Sequence, residues 1–201
     1  MTSYSSDIAF TETVKALQAQ KGSRRAYAAM ERNGSWATTI TPELAEFIAE
    51  QRSLFLATVN AEGQPYIQHR GGAPGFVRVL DPNTLAFIDF SGNRQYISSG
   101  NLQENPKAHL FLIDYRRRKR VKIWGEAAMQ PFDPEWAERL QPIDDSGRPE
   151  QILIFKVHAW DANCPQHIPV RFDAEDVLAA LQEKDRRIAE LEAKLASLDR
   201  S

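Results

Sequence analysis

Cysteine is almost absent from this chain: Cys164 is the single one among 201 residues. No disulfide can form within one protomer, and no zinc site built from several thiolates is available. Long apolar runs are missing too. Nothing approaches the roughly 20 consecutive apolar residues that a membrane-spanning helix needs. The polar stretch from Met1 to Phe10 lacks the basic-then-apolar order of a secretory leader. These absences make a cytoplasmic location the expectation, with no membrane partner. Charge of one sign is not in excess either. The net charge is -2, so long-range attraction to nucleic acid is not expected. Neither G-x-G-x-x-G nor G-x-x-x-x-G-K-[ST] occurs, which removes the usual support for a dinucleotide fold or a P-loop. What is present, 42% hydrophobic and 26% charged residues, suffices for one globular domain with terminal extensions.

Three regions differ in pattern: a helical extension over residues 1–50, a β-rich domain over 51–172 and a helix over 173–201. In the first, Gly22 and the Asn33-Gly34 pair interrupt helical segments. Thr41-Pro42-Glu43-Leu44 is a helix start, with Thr41 as N-cap and proline at the first helical position. Leu44, Phe47 and Ile48 then share a face. The middle region carries short β-type runs, Ser53 to Val59 and Gln64 to Arg70, joined by a turn at Asn60-Ala61-Glu62-Gly63. Further runs at Phe76–Leu80, Leu85–Phe90, Ala108–Tyr115, Arg120–Met129 and Gln151–Trp160 argue for an all-β barrel or sandwich. A short helix is expected at Pro134 to Leu140. In the last region Leu181, Ile188 and Leu195 recur at heptad spacing, with Leu191 and Leu198 filling the second position of the seam and Lys184 interrupting it at the first turn. This is either a short coiled coil or an amphipathic helix lying on its own barrel.

Two stretches stand out chemically. In Phe87-Ile88-Asp89-Phe90-Ser91-Gly92-Asn93-Arg94 a strand ends in a glycine turn and an arginine follows at once. Backbone N–H groups with a forked guanidinium form a phosphate site; a plain surface turn would have the same spacing. His69-Arg70-Gly71-Gly72-Ala73-Pro74-Gly75 is glycine-rich for a strand. It is either a place where a flat ligand approaches the backbone or a flexible connection. The basic run Arg116 to Arg120 has the character of a solvated hairpin tip, lacking the aromatic platforms of a nucleic-acid face. Near the end of the β region, Cys164 and His167 flank Pro165-Gln166. An imidazolium-stabilised thiolate, a segment lining a substrate pocket and a structural loop are the three readings.

Taken in order, Gly63-Gln64-Pro65-Tyr66, Arg78-Val79-Leu80-Asp81, Asp89 to Arg94, Asn101-Leu102 with Asn105-Pro106, and Val121 to Ala127 resemble the pyridoxamine 5'-phosphate oxidase-like family, the flavin-binding split barrels. The resemblance covers about Ser53 to Met129. It implies a mainly β split barrel with flanking helices, forming a homodimer with flavin mononucleotide (FMN) between subunits. It further implies that Gln68, His69, Arg70, Gly71 and Gly72 lie along the flavin ring, and that Asp89 and Phe90 flank it. Gly92, Asn93 and Arg94 would hold phosphate, Ser98 and Asn101 would close the phosphate pocket, and Arg120 would approach the flavin. Cys164, Gln166 and His167 would stand on the substrate side, since this segment is similar to a C-terminal signature of one branch. The true oxidases commonly have lysine after the arginine, where this chain has Gln95, and their C-terminal tryptophan and arginine pattern is not clearly present. The expected activity is therefore flavin-dependent oxidoreduction with an unidentified substrate, not oxidation of pyridoxamine phosphate, with NADH or NADPH as candidate electron donors. The alternatives are a non-catalytic flavin or haem carrier or sensor, and a cofactor-free dimeric module joined through the C-terminal helix. No catalytic side chain is assigned.

Overall fold

The structure is a computed structural model that describes residues 3–140, 147–163 and 165–198. They divide into two compact units, one of residues 1–114 with 119–164 and the other of residues 115–118 with 165–201.

The first unit opens with a short 3-10 turn at Ser5–Ile8 and three helices, α1 (Glu12–Gln20), α2 (Arg24–Arg32) and α3 (Pro42–Ala49). Thr41 caps α3 as expected, its hydroxyl accepting from the Leu44 N–H at 3.3 Å. Leu44, Phe47 and Ile48 are buried on one face. Seven strands follow in antiparallel pairs: β1 (Ser53–Val59), β2 (Pro65–Gly71), β3 (Arg78–Asp81), β4 (Thr84–Phe90), β5 (Lys107–Asp114), β6 (Lys119–Pro131) and β7 (Pro149–Asn163). Their order across the sheet is β2-β1-β5-β6-β7-β4-β3. The turn between β1 and β2 forms because the Asn60 side chain accepts from the Glu62 and Gln64 N–H groups, with Gly63 at φ +85°.

β2 is one edge of this sheet and β4 is next to the other, yet Arg70 of β2 meets Asp89 of β4 at 3.0 Å. The two ends can touch only because the sheet curls on itself, with the seam left unpaired. The result is a split β-barrel. Alternate residues of β1, β5 and β6 point inward, so Leu54, Leu56, Leu110, Leu112, Val121 and Ile123 join Leu85, Phe87, Leu153 and Phe155 in one core. A smaller cluster of Ala86, Leu140 and Ile152 lies under α5 (Pro134–Leu140), the short helix expected from sequence.

Ile97-Ser98-Ser99-Gly100-Asn101 is poor in helix formers. The chain nevertheless forms α4 (Ile97–Glu104). Tertiary bonds hold it: Ser98 Oγ donates to Gln68 Oε1 at 2.8 Å, and Asn101 Nδ2 donates to Thr58 Oγ1 at 3.0 Å.

In the second unit two arginines of the basic run are engaged. The Arg118 guanidinium donates to the carbonyls of Ile168 and Pro165, each at 3.1 Å, and Arg116 pairs with Asp176 at 3.3 Å. Arg171 lies over the Tyr115 ring. Helix α6 (Ala174–Leu198) buries none of its residues and exposes Leu181, Ile188, Leu191, Leu195 and Leu198. No helix among the described residues is long and apolar enough to cross a membrane.

Candidate functional site

The barrel seam holds a polar cavity of about 250 Å³. Its first wall follows from the period of a strand. Tyr66, Gln68 and Arg70 alternate inward along β2, whereas Ile67 and His69 point out. The second wall is the end of β4, where Asp89 and Phe90 lead into the loop Ser91 to Gln95. That loop turns because Arg94 and Tyr96 both adopt left-handed backbone, at φ +60° and +53°. Asn93 Oδ1 accepts from the Gln95 N–H at 3.2 Å. Tyr96 then opens α4, whose first turn carries no side-chain cap. Uncapped N–H groups at a helix start attract an anion.

A hydrogen-bond chain crosses this end of the cavity. Arg94 Nε donates to Tyr96 Oη at 3.3 Å, and Tyr96 Oη donates to Glu150 Oε1 at 2.7 Å. Deeper in, the side chains of Arg70 and Asp89 are only 19% and 13% exposed. Burial pushes the Asp89 carboxyl above its ordinary value, and neighbouring Glu150 adds to the rise; Arg70 opposes both without cancelling them. Arg70 Nε is buried with no hydrogen-bond partner. Two arginines, a helix start and a carboxyl inclined to keep its proton thus face one small space.

The raised Asp89 has a measurable consequence. Folding holds its proton at pH values where the unfolded chain has released it. Stability is therefore lost as pH rises from the ordinary aspartate value of 3.8 through the raised one, and the penalty is constant above. Asp89→Asn is expected to remove this component. Denaturant midpoints compared with the parent should show the variant gaining relative stability from acid to neutral pH. A constant difference across that range would show that Asp89 titrates alike in both states.

Of the residues singled out in the sequence, Gln68, Arg70, Asp89, Phe90, Gly92, Asn93, Arg94 and Ser98 line this cavity. Five others of the first unit do not. His69 faces outward and meets Phe55 edge-on, with centroids 5.6 Å apart. Gly71 pairs with Ser53 in the β1–β2 ladder. A Cβ on Gly72 would lie 2.7 Å from the Phe76 Cβ, so the chain's own packing requires this glycine. Asn101 stands behind the cavity, anchoring α4 to Thr58. Arg120 pairs with Ile113 and Asn163 within the sheet. Gln166 and His167 belong to the second unit, in a turn after Pro165, with His167 at φ +64°. Cys164 lies outside the described residues.

Tyr66, Tyr96 and Glu150 were not legible as site residues. Tyr66 sits at the inward alternation of β2, a position that period-2 reasoning reaches once Gln68 is chosen. Glu150 is far away in sequence. It arrives because the β4–β7 register shifts between Asp89 and Phe90, which lie opposite Gln151 and Pro149. No local pattern announces that.

The sequence profile of the pyridoxamine 5'-phosphate oxidase family matches residues 40–164. No curated protein matches the chain. Among solved structures, HupZ of Group A Streptococcus is 19% identical, covering 66% of this chain and 99% of its own, with a TM-score of 0.48. An FMN-binding protein from Syntrophomonas wolfei is 15% identical over 73% of this chain and 97% of its own, also at 0.48. HutZ, the haem storage protein of Vibrio cholerae, is 21% identical over 60% of this chain and 89% of its own, at 0.38.

Proposed function

Because the chain belongs to the pyridoxamine 5'-phosphate oxidase family, we propose that its seam cavity holds flavin mononucleotide and that the protein is a homodimeric flavin-dependent oxidoreductase. The observation that carries this reading is the donor set: Arg70 Nε buried without a partner, in the same cavity as Arg94 and the uncapped start of α4. FMN supplies the acceptors that these groups lack, a phosphomonoester for Arg94 and the start of α4 and ring carbonyls for Arg70. The residues present fit the group. Arg94, Asn93 and the Gly92 backbone would take the phosphate, Ser98 and Gln68 the neighbouring hydroxyls, and Arg70 with Asp89 the polar edge of the ring.

When bound, the flavin supplies hydride or electron transfer, which the protein's side chains cannot perform. The chain's contribution is to bind and orient it. Arg94 offsets the phosphate charge near Glu150. Asn101 keeps α4 in register by its bond to Thr58. The buried Arg70–Asp89 pair presents a guanidinium beside a carboxyl that burial pushes above its ordinary value. No nucleophile or acid–base dyad is needed, and Gln95 weighs against pyridoxamine phosphate as substrate.

The dimer is part of the same reading. One protomer's cavity of about 250 Å³ falls short of the roughly 300–1,000 Å³ of ordinary ligand pockets, which a wall from a second copy would make good. The outer face of β1, β2 and β5 bears Phe55, Phe111 and Ile67, the last 63% exposed. Such a face favours burial against a like surface.

Titration with FMN, followed by sedimentation and by anaerobic addition of NADH or NADPH, tests the proposal. Saturable uptake by a dimer, with bleaching of the visible flavin band and turnover of an electron acceptor, is expected. Uptake without reduction by any donor would make the protein a carrier. No uptake at all would overturn the flavin reading.

A further inference from the structure

Helix α6 is the longest helix among the described residues, 25 residues or about 37 Å at 1.5 Å per residue, and it buries none of them. Its apolar residues keep a heptad order. With Leu181, Ile188 and Leu195 at position a, Val177, Leu191 and Leu198 fall at d, and Lys184 alone breaks that row. These six apolar residues are 44–70% exposed. From Leu181 onward, apolar side chains larger than alanine occur only at a and d. Such a stripe is the seam of a coiled coil, narrower than the face that a helix lays on a globular core.

Each flank of the seam carries charge of one sign. Asp185 and Glu192 stand at e, whereas Arg187 and Lys194 stand at g. In a parallel pair, g of one helix meets e of the other five residues on, and these contacts set partner and orientation. Arg187 then meets Glu192 of the second copy, and the reverse contact repeats it. Within its own helix Arg187 pairs with Glu190 at 2.9 Å, and a guanidinium with five donors can serve a second carboxylate. In an antiparallel pair of full overlap, e meets e and g meets g. Asp185 would face its own copy, and so would Arg187. The charge pattern therefore disfavours that arrangement.

We infer that α6 is an interaction surface for a second copy of this chain, pairing with its α6 in parallel and in register as a short two-stranded coiled coil. Lys184 fixes the register. A side chain at d packs against d and e of the facing helix, so each Lys184 lies beside Asp185 of the other copy. A slip of one heptad would set one Lys184 against Val177 and Leu178 and would lose a layer of the seam. Ile188 at a with Leu191 at d suits two strands. The inference does not rest on the flavin reading, and it concerns a surface other than the barrel face of Phe55 and Ile67.

The test uses the full chain, where any pairing of barrels is common to every variant. Cys164→Ser removes the only native thiol, and Leu198→Cys then places one at the last d position. In a glutathione buffer, where disulfides exchange to equilibrium, a linked dimer is expected. An antiparallel pair would hold the two thiols roughly 36 Å apart. Ile188→Asp should cut the linked fraction about tenfold by setting charges in the seam, with the melting temperature unchanged because the residue is exposed. Orientation is read by charge. In the same thiol background Arg187→Glu and Glu192→Arg each set like charges across their own pair, but opposite charges across a mixed one. Mixed together, they should link to each other about tenfold more than to themselves, the products being told apart by mass. Linkage in random proportion, a preference of each variant for itself, or linkage that survives Ile188→Asp would each overturn the inference. So would the absence of a linked dimer.

Discussion

Gly125→Ala is expected to destabilise the barrel by about 3 kcal/mol or more, a large part of the 5–15 kcal/mol typical of a domain. A Cβ at this position would stand 1.9 Å from the Lys156 carbonyl oxygen and 2.7 Å from Phe155 Cε1. The first contact is with backbone of the neighbouring strand, so no rotamer change relieves it. The register between β6 and β7 shifts at this point, from Trp124 opposite Ala159 to Gly125 opposite Val157. The Val157 N–H instead donates to the Asn83 carbonyl at 2.7 Å. Room for a methyl group requires two strands to part where they carry the centre of the sheet. Ordinary overpacking costs about 1–3 kcal/mol, and the loss of adjoining ladder bonds adds to that. Gly100 in α4 is the control, since a Cβ there meets nothing within 4 Å. Gly100→Ala should stabilise by about 0.5–1 kcal/mol, as for a helix-interior glycine. Urea midpoints of both variants check the pair. A Gly125→Ala protein within 1 kcal/mol of the parent would mean that β6 and β7 do not approach so closely.

Arg94→Ala is expected to weaken FMN binding by about 1.5–3 kcal/mol, or roughly ten- to 150-fold. The loss should fall at the upper end for an electrostatic reason. Glu150 holds its carboxylate beside the same loop through Tyr96, and its charge contributes to raising the Arg94 guanidinium above its ordinary value, after the direct bond to Tyr96. Without the guanidinium, a phosphate would face that carboxylate uncompensated. Riboflavin lacks the phosphate and is expected to bind parent and variant alike. Arg94→Lys should fall between, because it keeps the charge but loses the fork. Calorimetric titration with the two flavins decides the matter. An equal loss for FMN and riboflavin would show that Arg94 shapes the loop, where its backbone sits at φ +60°, and does not contact phosphate.

Most of the strands and the N-terminal helices were legible because they obey local rules. The alternation through Ser53–Val59, the Asn60 turn, the Thr41 cap with Pro42, and α5 at Pro134–Leu140 each depend on a few consecutive residues. The resemblance in residues 53–129, and the profile match over 40–164, extend the same kind of legibility to the fold as a whole. One wall of the seam cavity, Asp89 to Arg94, was visible as a strand that ends in a turn.

The sequence by itself therefore pointed, through alternation, turn residues and the family resemblance, to a β-barrel with helical ends, and it left the 89–94 turn between an anion site and a plain surface turn. Tertiary structure decided which residues face that turn. Helix α4 exists against its own propensity because Gln68 and Thr58 hold it. Glu150 enters through a register shift, and Arg70 reaches Asp89 because the sheet curls until its ends meet. It also decided that Gly72 makes room for Phe76, and that Trp36, Trp124 and Trp160 share one cavity. The physical reason is common to all of these. Period and turn chemistry act over a few residues, whereas register, closure and close approach are set by packing between segments far apart in the chain.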